Sequence, residues 1–220
     1  MGLILNIDTA VDAASICLAR DEAIIATASN EKQKDHAAWL HEAIRSIIKS
    51  GDSSFTDLDA IAVTGGPGSY TGLRIGMAAA KGICYVINKP LISLNTLEVM
   101  AGAVKDSSAN LLCPMIDARR MEVFTALYTK DLKIMKEPTA MVLDETSFRD
   151  ELTSNSTCFF GNGSKKFKSI CANENALFAE VMSDATSMIS LSEQKFLQKD
   201  FADLAYAEPL YLKEFYTPTK

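Results

Sequence analysis

Histidine and tryptophan are scarce in this 220-residue chain: it has two histidines, His36 and His41, and one tryptophan, Trp39. Histidines five apart on a helix fall about 140° apart around its axis. Zinc-binding helices place them four apart on one face, so no helical metal pair is expected. The five cysteines, Cys17, Cys84, Cys113, Cys158 and Cys171, are odd in number, scattered, and form no CxxC. Such thiols suit a reducing compartment and argue against a disulfide frame or a zinc site. No apolar run approaches the ~20 residues of a membrane span. The opening MGLILNIDTA lacks a basic segment and breaks its apolar run at Asn6 and Asp8. It reads as a first strand rather than a signal peptide, and a cytoplasmic protein is expected. Basic residues number 22 against 28 acidic ones, a net charge of −6. That argues against a broad basic surface for nucleic acid.

Standard phosphate and nucleophile motifs are also missing. Gly72 is followed by Leu73-Arg74 rather than Lys-Ser/Thr, which excludes a P-loop, and Thr71 stands where the dinucleotide fingerprint needs a third glycine. Ser69 sits in a glycine-rich turn but lacks the G-x-S-x-G frame.

What is present centres on Thr64 to Gly82, TGGPGSYTGLRIGMAAAKG. A short apolar run from Asp59 to Thr64 precedes it, so the pattern is strand, tight glycine turn, helix. Ser69 or Thr71 can cap that helix. Glycines ahead of a helix serve either a phosphate at the positive helix end or a connection that needs positive φ. The glycines alone favour the second reading. Arg74 and Lys81 fall on one narrow stripe of the helix, and nearly all the rest of its circumference is apolar or small. A helix of that kind is buried. Its own sheet covers one face, and the other needs cover from this chain or another.

Along the chain, strands are expected at Leu3 to Asp8, Ala13 to Ala19 and Ile24 to Ser29, then a helix from Asp35 to Ser50. The Asp59–Thr64 strand, the apolar helix to Ile87, a strand at Leu91 to Leu94 and a helix at Thr96 to Val104 follow. Lys105 to Asn110 marks a boundary between lobes 1–104 and 111–220. The pattern then restarts: Leu111 to Asp117 is another apolar run closing on Ile-Asp, followed by strands at Val123 to Tyr128 and Leu132 to Met135. Ala140 to Leu143 can extend that sheet. A helix at Asp144 to Leu152, a strand at Thr157 to Phe160 and a turn at Gly161 to Gly163 come next. The end is helical around Ser192 to Leu204 and extended at Pro209 to Leu212. Repeated strands followed by alternating helices predict an α/β protein of two mixed sheets flanked by helices.

Asp8 and Asp117 each end a first strand and face the expected cleft. They either work together as a carboxylate pair or cap their own turns. Asp117-Ala-Arg-Arg-Met-Glu122 gathers two arginines and two acids. Arg119 and Arg120 can bind phosphate, although a turn salt-bridged within itself is the favoured reading.

Ile7-Asp8-Thr9, the run Gly66, Pro67, Gly68, Ser69, Tyr70, Thr71, Gly72 to Gly76 with Lys81-Gly82, and Asp117 to Val123 with Arg119, Arg120 and Glu122 resemble the motifs of the TsaB (YeaZ) family. Pro209-Leu-Tyr-Leu212 resembles its C-terminal motif. Tyr70 stands where that family often has Phe, and Phe124 where it often has Tyr. The resemblance implies a two-lobed, duplicated RNase H-like fold of the actin, sugar kinase and Hsp70 type, within the Gcp-like group once labelled glycoproteases or M22 peptidases. It implies a non-catalytic subunit in the making of threonylcarbamoyladenosine in transfer RNA, supporting a catalytic TsaD-like protein with a TsaE-like ATPase. The HxxxH metal motif and second-lobe nucleotide loop of TsaD are absent here. No catalytic, cofactor-binding or metal-binding residue is therefore expected, nor tight binding of transfer RNA by this chain alone. The two helices of the first lobe are expected to carry the partner interface, at Trp39, Ala43, Gly72, Gly76, Ala79, Ala80 and Ile83, and a weaker homodimer when the chain is alone. The alternative is an ATP-dependent phosphotransferase or M22-type peptidase using Asp8 and Asp117.

Overall fold

The computed structural model describes residues 2–31, 36–181 and 183–213, with His36 described by its backbone alone. Asp35, the expected start of the first long helix, and the side chain of His36 lie outside the described residues. Two five-stranded sheets are built in the same way. In the first, β1 (Leu3–Asp8) lies between antiparallel β2 (Ala14–Arg20) and parallel β4 (Ala60–Gly66). Edge strands β3 (Ala23–Asn30) and β5 (Leu91–Asn95) complete it. In the second, β6 (Leu111–Asp117) lies between antiparallel β7 (Glu122–Thr129) and parallel β9 (Thr157–Phe160), with β8 (Ile134–Val142) and β10 (Ala176–Ala179) at the edges. This duplicated pattern is the two-lobed actin and sugar-kinase type of fold, as expected.

The central strands explain the chain's apolar runs. Every residue of β1 and β4 is buried, as both faces of these strands are covered. On one face of the first sheet lie α1 (His36–Ser50) and α2 (Tyr70–Ile87). Leu40, Ala43, Ile44, Ile47 and Ile48 of α1 pack there with Leu5, Ile7, Met77 and Ala80. On the other face lie α3 (Thr96–Gly102), a 3-10 turn at Ala185–Met188 and α6 (Ile189–Gln198). Helix α3 joins the two sheets. Val99 packs with the first, while Leu97, Met100 and Ala101 pack with Leu112, Tyr128 and Phe160 of the second. The far face of the second sheet holds an aromatic cluster of Phe148, Phe159 and Phe167, with ring centroids 4.7–5.4 Å apart.

Three elements differ from expectation. The helix expected from Asp144 begins only at Arg149, as α4 (Arg149–Ser154). The Asp144 carboxylate accepts from Thr146 N at 2.8 Å and holds a turn instead, the competition with helix that aspartate side chains offer. The two pieces at Leu132 and Ala140 are one strand, β8, because Leu132 itself takes φ 58° in the turn before it. The last helix is α6, ten residues closed by Lys199 at φ 56°. Beyond it, Asp203 caps a turn at Ala205 and the chain runs along α2. Short β10 and α5 (Ser164–Lys168) had no legible pattern.

All five thiols are free, and only Cys171 is not buried. Burial pushes Cys17 up to about 11 and Cys84 and Cys113 up to about 12. An aromatic disulfide reagent at neutral pH is expected to label one thiol per native chain rapidly and all five only after denaturation. Rapid labelling of two or more native thiols would contradict this packing.

Candidate functional site

The β1–β2 turn sits directly on the start of α2. Ser69 caps that helix, its hydroxyl accepting from Gly72 N at 3.2 Å. Ser69 N donates to Ala10 O at 2.7 Å, and Thr9 Oγ1 donates to Gly72 O at 2.7 Å. A Cβ at Gly68 would strike Ala10 O, and one at Gly72 or Gly76 would strike Thr9. Gly66, at φ 115°, has Leu210 backbone on its far side, and Leu210 N donates to Gly65 O at 2.7 Å. The glycines thus admit this chain's own backbone, and Gly66 also needs its positive φ. Only Ser69, of the two candidate caps, serves.

The stripe of Arg74 and Lys81 receives the C-terminal strap, residues 202–213. Lys81 Nζ donates to Ala205 O at 3.3 Å and Ala207 O at 2.9 Å. Arg74 lies 4.0 Å over the Tyr70 ring, and its Nε donates to Tyr211 Oη at 3.1 Å. The Tyr70 and Tyr211 rings are 5.1 Å apart. Part of the cover that α2 needs therefore comes from this chain.

Between the two first turns and the strap lies a cleft of about 680 Å³, lined among others by Pro67, Gly68, Ser69, Tyr70, Thr71, Asp117 and Arg119. Asp8, Thr9 and Gly66 lie beneath it, fully or almost fully buried. The two carboxylates cap equivalent turns. Asp8 Oδ1 accepts from Ala10 N at 3.0 Å, and Asp117 Oδ1 from Arg119 N at 2.6 Å. Their settings differ. Asp8 also accepts from Thr64 Oγ1 at 2.9 Å, and burial pushes its pKa up. Burial also acts on Asp117, but the Lys166 ammonium at 2.7 Å outweighs it and holds that carboxyl below its usual range. Contrary to the sequence expectation, Asp8 does not face the cleft, so the two aspartates are not a carboxylate pair across it.

The favoured reading of the Asp117–Glu122 turn is also corrected. Its acids are taken by lysines from elsewhere: Asp117 pairs with Lys166 and Glu122 with Lys213. Among the described residues no ion pair forms at Arg119 or Arg120. Both are exposed and adopt left-handed backbone, φ 69° and 51°, at a cost of ~1–2 kcal/mol each for residues with a Cβ. Among the described residues no three His, Cys, Asp or Glu side chains are grouped to hold a metal ion.

A sequence model described as "TsaD: tRNA N6-adenosine threonylcarbamoyltransferase" matches residues 24–207. An Escherichia coli protein named tRNA threonylcarbamoyladenosine biosynthesis protein TsaB is 29% identical over 218 residues, covering 96% of this chain and 94% of that one. A Bacillus subtilis protein of the same name is 36% identical over 125 residues, 57% of this chain and 54% of that one. The chain belongs to the TsaD family, and over nearly its whole length it is similar to a protein named TsaB. A crystal structure from Pseudomonas aeruginosa, described as similar to peptidase YEAZ, shares the fold with a TM-score of 0.86 at 22% identity, covering 97% of this chain and 100% of that one.

Within this fold the expected partner residues separate. Gly72 and Gly76 face Thr9 of the same chain, and Ala80 is fully buried. Ala43 and Ala79 are buried between the helices and their sheet, while Trp39 and Ile83 are half-buried. The uncovered face of α2 is instead Ala78, Gly82, Tyr85 and Val86, the last two each 80% exposed. Sequence periodicity could not separate these faces, because the residues that receive Thr9 and those left open are equally small.

Two measurements check this geometry. A Cβ at Gly82 meets nothing within 4 Å, so Gly82→Ala is expected to stabilise the chain by up to ~1 kcal/mol through helix propensity. Gly72→Ala is expected to destabilise it by ~1–3 kcal/mol or more. Denaturant midpoints that rank the two the other way would refute the placement of Thr9. Asp8, whose folded pKa is raised, contributes stability that is complete below its unfolded value of 3.8 and is lost as pH rises toward the folded value. Asp117 has the opposite sign and changes stability only below that value. From pH 4 to 8, wild-type stability is therefore expected to fall relative to Asp8→Asn, and parallel pH profiles would mean that Asp8 is not held neutral.

Proposed function

We propose that this chain is a non-catalytic subunit in the making of threonylcarbamoyladenosine in transfer RNA, and that it acts by binding a catalytic TsaD-like protein. The relatives' names give the pathway. The observation that carries the non-catalytic reading is the filled glycine loop: Ala10 O, Thr9 and the Leu210 backbone stand where a phosphate would have to approach. The buried, turn-capping Asp8 supports the same reading. A TsaE-like ATPase as a further partner, a homodimer of the isolated chain and a cytoplasmic location belong to the proposal. For location, the structural observation is that no described helix is long and apolar enough to cross a membrane.

The surface proposed for the partner is the open face of α2, at Ala78, Gly82, Tyr85 and Val86, with half-buried Trp39 and Ile83 at its margin. Ala78 and Gly82 leave room for a partner backbone, and Tyr85 supplies an aromatic anchor of the kind that dominates interface energies.

The test pairs binding with folding. Val86→Arg places its charge at an 80% exposed position, so its melting temperature is expected to stay near wild type. Its affinity for a purified TsaD-like protein is expected to fall at least about a hundredfold, as for a charge set at an interface centre. A folded variant that binds as tightly as wild type would place the interface elsewhere. ATP or peptide turnover by the wild-type chain alone, abolished by Asp117→Ala, would refute the non-catalytic reading.

A further inference from the structure

We propose that the mouth of the cleft is a contact site for the phosphates of a single-stranded RNA segment, with Arg119, which lines it, and the adjacent exposed Arg120 as its principal cations. The inference rests on the transfer-RNA reading above and adds a direct role for this chain in holding the RNA. Arg119 and Arg120 sit at a tight turn in a conformation that side chains resist, although glycine or asparagine would suit it. The neighbouring acids account for the arginines only in part: the Arg119 charge helps to lower the Asp117 pKa, but the ion pairs are made by Lys166 and Lys213. Two forked guanidinium groups are thus held outward with no ion pair among the described residues. Guanidinium is the side chain best matched to phosphate oxygens.

The surroundings favour a strand over a small anion. Next to the main cleft is a second cavity of about 460 Å³ that shares Val11, Asp12 and Asn162 with it and is lined by Lys165 and Lys168. Both lysines are exposed and make no ion pair among the described residues. The cations are therefore spread along two adjoining hollows rather than converging on one point. Tyr70 and Tyr211 line the same cleft; Arg74 covers one face of Tyr70 and the two rings touch, so Tyr211, 41% exposed, is the ring open to a base. A positive groove that tracks the backbone, interleaved with aromatic rings on which bases can stack, is how proteins hold single strands. Asp12, which lines both cavities, Asp117 in the main cleft, Glu180 at the second cavity and the chain's charge of −6 oppose this attraction. The contact is accordingly weak for the isolated chain and strongly dependent on salt.

The experiment measures binding of unmodified transfer RNA to the full chain over a range of salt concentrations. Arg119→Glu/Arg120→Glu is expected to lower affinity at low salt about tenfold and to reduce the log–log salt slope by ~1.4, two phosphates at ~0.7 each. Arg119→Asn/Arg120→Gly suits the left-handed backbone, so its melting temperature should be no lower than wild type while it loses RNA affinity as well. Lys130→Glu/Lys133→Glu makes the same charge change at the other end of β7 and is expected to bind nearly as wild type. Equal loss in this control, no loss in either arginine variant, or no wild-type binding at low salt would overturn the proposal. Arginine-dependent binding of inorganic phosphate with RNA binding unchanged would also overturn it, in favour of a small-anion site. Capture of a TsaD-like protein is scored on the same variants. Partner capture with arginine-independent RNA binding defeats this inference alone, and arginine-dependent RNA binding without partner capture defeats the subunit reading alone.

Discussion

The seating of the β1–β2 turn on the first residues of α2 is the constraint from which the rest follows. Thr9 and Ala10 bond to Gly72 and Ser69 with backbone in direct contact. No side chain can stand at Gly68, Gly72 or Gly76 while they do. The contact fixes α2 against the central strand and draws Asp8 beneath the surface, where its carboxylate serves the turn and Thr64. It also occupies the helix end that elsewhere offers backbone amides to a phosphate. A buried helix start and a vacant phosphate cradle are incompatible uses of the same atoms. In this chain the first use prevails.

Much of this was legible in the sequence. Apolar runs buried on both faces gave β1, β4 and β6, and the return of an Ile-Asp ending at Asp117 signalled a duplicated sheet that the strand order bears out. The glycine loop was readable as a connection rather than a cradle because its spacing fits no phosphate motif. The failures have different causes. Helix from Asp144 and an internally paired arginine turn were inferred from neighbours in sequence, but side chains distant in sequence decided one of them. Lys166 and Lys213 lie 49 and 91 residues from the acids they neutralise. At Asp144 a local carboxylate turn defeated helix propensity. The faces of α2 were equally opaque, since a glycine that receives Thr9 and a glycine that meets nothing look the same in the sequence.

The C-terminal strap shows why the stripe of Arg74 and Lys81 exists. An otherwise apolar helix surface needs polar anchors where irregular backbone crosses it, because that backbone carries carbonyls with no ladder to join. Lys81 supplies donors to two of them, and Arg74 fixes Tyr211. The strap covers one flank of α2 and leaves the neighbouring flank open. The open face, through Ala78, Gly82 and Val86, is thereby bounded on one side by the chain itself.

The two equivalent turns show how one duplicated device diverged. Each has an aspartate that ends a central strand and accepts from the amide two residues on. In the first lobe the next residues are small, Thr9 and Ala10, and the turn is driven into the protein. In the second they are Ala118, Arg119 and Arg120, too bulky and too charged to be buried against a helix start, and the turn remains at the surface with an ion-paired aspartate. Burial in the first case raises the pKa of the aspartate, and in the second the Lys166 ammonium lowers it. The first turn thus lies buried beneath the cleft, and the second, with left-handed backbone at Arg119 and Arg120, displays Arg119 at the cleft rim.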